Sequence, residues 1–189
     1  MSGVGVDVAP PAAAPLLPAW LRPLGRLLEL INRGMTYFGM LALLAAALVL
    51  TSSVITRYLM HASTDWQDEA AVFCLVGATF LSGAFVQQLR GHVGIEAISG
   101  LLPAWAQRLR LALVDLMCLA FCSFFAWKSW TLWHEAWAEG QTTSSSWGPP
   151  LWIPYGLMAA GMTLLSLQLL VQALASVDAL VRGNKEQRA

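Results

Sequence analysis

The chain has 189 residues, of which 57% are hydrophobic and only 12% charged, and its formal net charge is zero. A soluble globular protein carries about 25% charged residues, so this composition excludes an ordinary soluble domain and points to an integral membrane protein. The neutral charge balance also leaves no basic surface for nucleic acid, and what carries information is where the few charges fall along the chain.

Residues 1–19 are rich in Pro, Ala and Gly and contain no basic residue. Prolines interrupt any apolar core a signal peptide would need, so this segment reads as a disordered cytoplasmic tail. Residues 21–32 place Leu24, Leu27, Leu28 and Ile31 at helical spacing, with Arg22, Arg26 and Glu29 between them. That pattern predicts an amphipathic helix lying along the membrane surface or packed on a soluble partner. The first span is expected at 34–56, uncharged between Arg33 and Arg57 and rich in small residues suited to close helix packing.

The second span is expected at 70–89, where no charge interrupts the apolar run. A helix of that length covers roughly 30 Å, the hydrocarbon thickness of a bilayer. Its entrance is acidic, with Asp65, Asp68 and Glu69, and its exit is basic, with Arg90 and His92. Thr64 to Gln67 has the spacing of a capping box, and carboxylates in a first helical turn suit the helix dipole. Gly91 is the expected C-cap. Residues 93–102 form another amphipathic stretch that ends at Pro103.

The third span is expected at 109–130, with Asp115 in its first turns and Lys128 near its far end, where a lysine can reach the headgroups. Trp127, Trp130, Trp133 and Trp137 follow one helix face and fit an aromatic belt at the interface or a surface for a partner. A polar loop rich in Gly, Ser and Pro occupies 139–150, and the fourth span is expected at 151–177 with Pro154 in its first turn. Residues 181–189 form a short polar tail.

The sequence thus predicts an all-α integral membrane protein. Four transmembrane helices and short amphipathic surface helices make up a membrane domain over 20–180. Arg22, Arg26, Arg33, Arg90, Arg108, Arg110, Arg182, Lys185 and Arg188 fall on one side of the four spans. The other side holds Arg57 and Lys128 against Asp65, Asp68, Glu69, Glu135 and Glu139. Excess positive charge marks the cytoplasmic side, so both termini are expected in the cytoplasm.

A search for chemistry returns little. Cys74, Cys118 and Cys122 lie inside apolar runs and read as small packing residues rather than disulfide or metal sites. His61, His92 and His134 fall in loops or at interfaces, where none can serve as a haem ligand at depth. Spans one, two and four have uncharged interiors, and a self-sufficient ion-driven carrier usually holds ionisable groups near its midplane. Asp115 reads as the partner of a basic residue such as Arg110 or Arg90. No phosphate loop, catalytic triad or metal-ligand spacing is present, so no enzyme activity, cofactor or metal is expected. The residues alone therefore describe a helical membrane protein whose task is to hold a partner.

Several motifs, taken in order, resemble the small membrane subunit (DctQ type) of the tripartite ATP-independent periplasmic (TRAP) transporters. They are Arg57-Tyr58, Ser63, Trp66, Asp68-Glu69, Gly77-Ala78, Arg90-Gly91-His92 and Glu96, followed by Pro150-Leu151-Trp152-Ile153-Pro154-Tyr155. The chain departs from that pattern in lacking a Trp just before Gly77 and in carrying Glu96 where Asp is frequent.

The resemblance implies a non-catalytic subunit of a sodium-coupled importer of an organic acid in the bacterial inner membrane. Its partners would be the lipid bilayer, a large membrane subunit that carries the substrate path, and a periplasmic substrate-binding protein that docks on the complex. The small subunit would brace the large one as a scaffold. Arg57 would pair with Asp68 or Glu69, or each would act alone in capping and headgroup contact. Arg90 and His92 would anchor the opposite end against lipid phosphate, Glu96 or the partner. Trp66 would sit at the interface or touch a partner. The competing functions are a stand-alone four-helix exporter, disfavoured by the uncharged first span, and a membrane anchor of a respiratory enzyme, disfavoured by the lack of buried His.

Overall fold

The computed structural model describes residues 18, 20–60, 64–89 and 104–186. These residues form four helices: α1 (Arg22–Met60), α2 (Asp65–Gln88), α3 (Ala104–Ala138) and α4 (Trp152–Glu186). No strand is present among the described residues, and all four helices are long and apolar enough to cross a membrane. An apolar environment leaves a backbone only two ways to satisfy its polar groups, a helix or a closed barrel, and the uninterrupted apolar runs select the helix.

The amphipathic residues 22–32 do not form a separate surface helix. They are the first three turns of a continuous 39-residue α1, with Pro23 in its opening turn, where a missing N–H costs nothing. The predicted stretch at 93–102 and the C-cap at Gly91 lie outside the described residues; α2 is closed by Leu89, whose N–H donates to the Phe85 carbonyl at 3.2 Å.

The helices do not close into a bundle. α1 packs along α2, α2 along α4, and α4 along α3, while α1 meets α4 only slightly and shares no seam with α3. In spatial order the molecule is a row, α1–α2–α4–α3. Small residues set each seam. Between α1 and α2, a Cβ on Gly39 would sit 3.4 Å from the Ala78 backbone. Between α2 and α4, a Cβ on Gly161 would lie 2.8 Å from Phe80 Cβ and would overlap the Phe80 carbonyl. Gly77 faces Leu157 in the same seam, and Gly156 faces the Trp133 indole between α4 and α3, each with 3.2 Å available to a Cβ.

A row has two outer helices and two open faces. Accordingly Tyr37, Phe38, Leu41, Leu44 and Leu48 on α1, and Met117, Phe121 and Phe124 on α3, are exposed, whereas Ala159, Met162, Leu169, Val171, Ala173 and Ala175 bury α4 at the centre. The loop between α3 and α4 folds back on itself: Thr143 N–H donates to the Pro149 carbonyl at 3.1 Å and Leu151 N–H to the Gln141 carbonyl at 2.9 Å. Gly140 and Gly148 supply the positive φ angles of 61° and 56° that this turn requires.

Gly161→Leu is expected to force α2 and α4 apart and to destabilise the protein by about 1–3 kcal/mol, the usual cost of overpacking. Gly34→Ala, which meets nothing within 4 Å inside α1, should not destabilise and should gain up to about 1 kcal/mol from helix propensity. Thermal unfolding in detergent reads both.

Candidate functional site

Polar side chains join the row at both ends. At one end, Arg57 in the last turn of α1 reaches the head of α2. Its guanidinium lies 3.0 Å from Asp68 Oδ2 and donates to Thr64 Oγ1 at 2.7 Å. Ser53, one turn earlier on the same face of α1, donates to the other carboxylate oxygen, Asp68 Oδ1, at 3.1 Å. Asp68 is thus held on both oxygens by two successive turns of α1. The ion pair itself is about half exposed, a setting in which such a pair contributes roughly 0–1 kcal/mol.

The partner of Arg57 is therefore Asp68, and Glu69 points elsewhere. Glu69 Oε2 and Gln67 Oε1 are buried without a hydrogen-bond partner among the described residues. Thr64 precedes α2 as its N-cap, but its side chain makes no capping bond: the hydroxyl accepts from Arg57 instead, and the backbone carbonyl takes the Gln67 and Asp68 N–H groups. The capping box expected here is thus replaced by an interhelical contact.

Tyr58 is 77% exposed beside this latch and makes no hydrogen bond within the described residues. Trp66 packs edge-on against Trp147 of the α3–α4 loop, with ring centroids 6.5 Å apart, and together with Asp65 and Ser146 the two rings line a groove of about 270 Å³. Gly77 is buried in the α2–α4 seam. Trp152 closes an aromatic ladder, Trp130–Trp133–Trp137–Trp152, with successive centroids 5.3, 5.9 and 5.0 Å apart. The Trp130 indole N–H donates to Thr163 Oγ1 at 3.0 Å. Three of the four expected tryptophans thus join the α3–α4 seam, while Trp127 turns away against Phe124 and Lys128. Pro154 is buried in the first turn of α4. Ser63, Arg90, His92 and Glu96 lie outside the described residues.

The opposite end carries residues that charge counting overlooks. Asn32 of α1, fully buried, donates from Nδ2 to Gln168 Oε1 of α4 at 3.1 Å and to Gln88 Oε1 of α2 at 3.3 Å. Beside it, Gln87 Nε2 donates to Gln172 Oε1 at 2.8 Å, and Gln172 Nε2 returns a bond to the Gln87 carbonyl at 2.9 Å. Ser176 donates to Asp115 Oδ2 at 2.6 Å, both side chains buried, which fastens α3 to α4 at the same end. A signal for this network exists in the sequence, namely amides within or flanking the apolar runs of three helices, Asn32, Gln87, Gln88, Gln168 and Gln172, because such amides seek partners across helices.

Among the described residues no group of three His, Cys, Asp or Glu side chains could hold a metal ion. The three cysteines are free thiols. What these side chains can do is fix helix positions: one latch of charge and hydroxyl at the Arg57 end, one of amides at the Asn32 end.

An open row of four apolar helices defines a multi-pass membrane protein. Residues 46–179 match the family model described as tripartite ATP-independent periplasmic transporters, DctQ component. The match spans most of the chain, and the chain belongs to this family of transporter components. A similar protein is the C4-dicarboxylate TRAP transporter small permease protein DctQ of Vibrio cholerae serotype O1, 24% identical over an alignment of 194 positions, gaps included, that covers 89% of this chain and 82% of the relative. No solved structure matches the chain. Membership implies association with a large membrane subunit and a substrate-binding protein.

The two latches should differ in weight. Asn32→Ala breaks buried bonds to two helices and is expected to cost about 1–2 kcal/mol, the upper range for polar contacts between membrane helices. Asp68→Asn, at an exposed pair, should cost about 1 kcal/mol or less. Denaturant titration in mixed micelles, followed by circular dichroism, ranks the two.

Proposed function

We propose that this chain is the small permease subunit of a sodium-coupled TRAP importer of an organic acid, and that it braces the large membrane subunit as a scaffold. The observation that carries this reading is the open row. Its seams are fixed by glycine contacts and by latches at both ends, yet α1 and α3 leave broad apolar surfaces uncovered. A rigid plate of this kind is suited to holding a neighbour in place.

The ionisable groups support the same division of labour. Substrate and ion sites in secondary transporters sit near the midplane, on broken helices or intramembrane charges. Here the helices run unbroken, and Arg57–Asp68 and Asp115–Ser176 lie at opposite ends of the row. The substrate path and the sodium sites therefore belong to the large subunit, and capture of the acid belongs to the periplasmic binding protein. The relative in Vibrio cholerae is named for C4-dicarboxylates, and a carboxylate substrate suits this chain as well.

The location is the bacterial inner membrane. Asn32, Gln88, Asp115 and Gln168 share one end of the row, and Arg57, Asp68, Trp137 and Trp152 share the other. Arg22, Arg26, Arg33 and Arg110 accompany the first end, so the positive-inside bias puts that end, and both termini, in the cytoplasm.

Co-expression with a large TRAP membrane subunit from the same genome provides the test. The two proteins should co-purify, and liposomes holding both should take up the acid with sodium only when the binding protein is added. Sodium-dependent uptake by this chain alone would refute the scaffold role.

A further inference from the structure

The charges that bound each apolar run do not lie level across the row. Contacts between the helices fix the levels. At one end the α1 run stops at Arg33, beside Asn32, which meets Gln168 of α4. The α4 run continues to Asp178. On α3, Asp115 is level with Ser176, and the bounding charge is Arg110, about 8 Å farther out at helical rise. The α3 boundary therefore stands about 20 Å beyond that of α1.

The other end shifts the same way. Asp68 lies about 18 Å along α2 from Phe80, which is level with Gly161. Arg57 stands one turn past Ser53, and Ser53 meets Asp68. On α3 the bounding charge is Glu135, between Trp133 at Gly156 and Trp137 at Trp152. Glu135 thus falls about 14 Å short of Arg57. Glu69 of α2 and Asp178 of α4 bound their runs at intermediate levels. The apolar band descends steadily from α1 to α3, by about 17 Å in all.

An upright row would put charges in the hydrocarbon at both edges. Arg26, Glu29 and Arg33, all exposed, would lie level with the mostly apolar α4 residues 169–177. Lys128, also exposed, would lie level with Gly161 and Phe80, near the middle of the row. Charges at such depth are costly and seldom face lipid. A lean within the plane of the row removes the conflict. Three helix spacings of about 8–10 Å separate α1 from α3, so the offset corresponds to a lean of about 30–35°, within the range of membrane helices. Length agrees independently. The uncharged run 34–56 measures about 34 Å along α1, more than the roughly 30 Å core. At this lean it spans about 28–30 Å.

We infer that the row crosses the membrane with this lean, and that Lys128 takes lipid phosphate at the surface nearer Arg57. Lys128 is about 10 Å along α3 from Glu135. The lean brings its backbone to about 9 Å from that surface, and its apolar stem carries the ammonium on toward the headgroups. The inference needs only that the chain spans a bilayer, and it stands apart from the assembly proposed above. A partner laid on the row would meet an oblique apolar band.

Single spin labels on the full chain in liposomes test the lean, at Phe38, Leu44 and Leu48 on α1 and at Met117, Phe121 and Trp127 on α3, all exposed. Collisions with oxygen, which enters lipid, against those with a water-soluble nickel chelate report depth. The deepest labels should be Leu44 and Phe121, which differ in level along the helices by about 17 Å. Deepest labels at Phe38 and Trp127, or at any two sites level across the row, would overturn it. Lys128 and Lys185 are the only lysines of the chain. In a Lys185→Arg variant with nitrogen-15 at the lysine ammonium, lipid phosphorus should dephase the Lys128 signal in solid-state magnetic resonance. An undephased signal would overturn the phosphate contact.

Discussion

The seam between α2 and α4 is the constraint on which the rest of the structure depends. Lipid is as apolar as leucine, so membrane helices gain nothing simply by hiding apolar surface from it; they associate through close packing and hydrogen bonds. Gly161 lets the Phe80 backbone come as near as two helices can. That contact fixes the two central members, and α1 and α3 are then added to their outer sides through Gly39 and Gly156. The seams succeed one another along a line, so the product is a row, with the best-buried helix, α4, at its centre.

Packing fixes separation but resists sliding poorly, and the polar groups supply what it lacks. Arg57 and Ser53 clasp Asp68 at one end, and Asn32 bridges Gln88 and Gln168 at the other. Two latches on one helix pair, about 25 residues apart along α1, set both its register and its angle. An amide network held away from water strengthens each of its bonds and makes an unpaired member costly, as Asn32 Oδ1 is among the described residues. This is consistent with a subunit whose value lies in keeping its shape.

Much of this was legible in the sequence. The uncharged runs located four helices, and the acidic entrance to α2 beside Arg57 pointed to a contact there. The partner of Arg57 was not legible, because Asp68 and Glu69 are adjacent and only the rotation of α2 decides which carboxylate faces Ser53 and Arg57. The order of the helices was equally hidden. A helix that is apolar all round has no polar stripe to say which side is inside, and glycine contacts between distant residues leave no periodic trace. The continuity of α1 was missed because Arg22, Arg26 and Glu29 make residues 21–32 look like a surface helix, although nothing after Asn32 breaks the backbone. The amides were passed over for a different reason: Asn32, Gln87, Gln88, Gln168 and Gln172 carry no charge, and in a membrane it is hydrogen-bonding capacity as well as charge that needs a partner.

The central claim is that the four helices form an open row that keeps its shape. Spin labels at Phe38 on α1 and Trp127 on α3, both exposed and at nearly the same depth along the row, measure it through double electron–electron resonance. Three helix spacings of about 8–10 Å each place the outer helices roughly 24–30 Å apart, and this distance should stay single and unchanged when the assembled complex receives sodium and substrate. A distribution centred near a single helix spacing, about 8–10 Å, which closing the row would leave between α1 and α3, or one that shifts when transport is initiated, would contradict it.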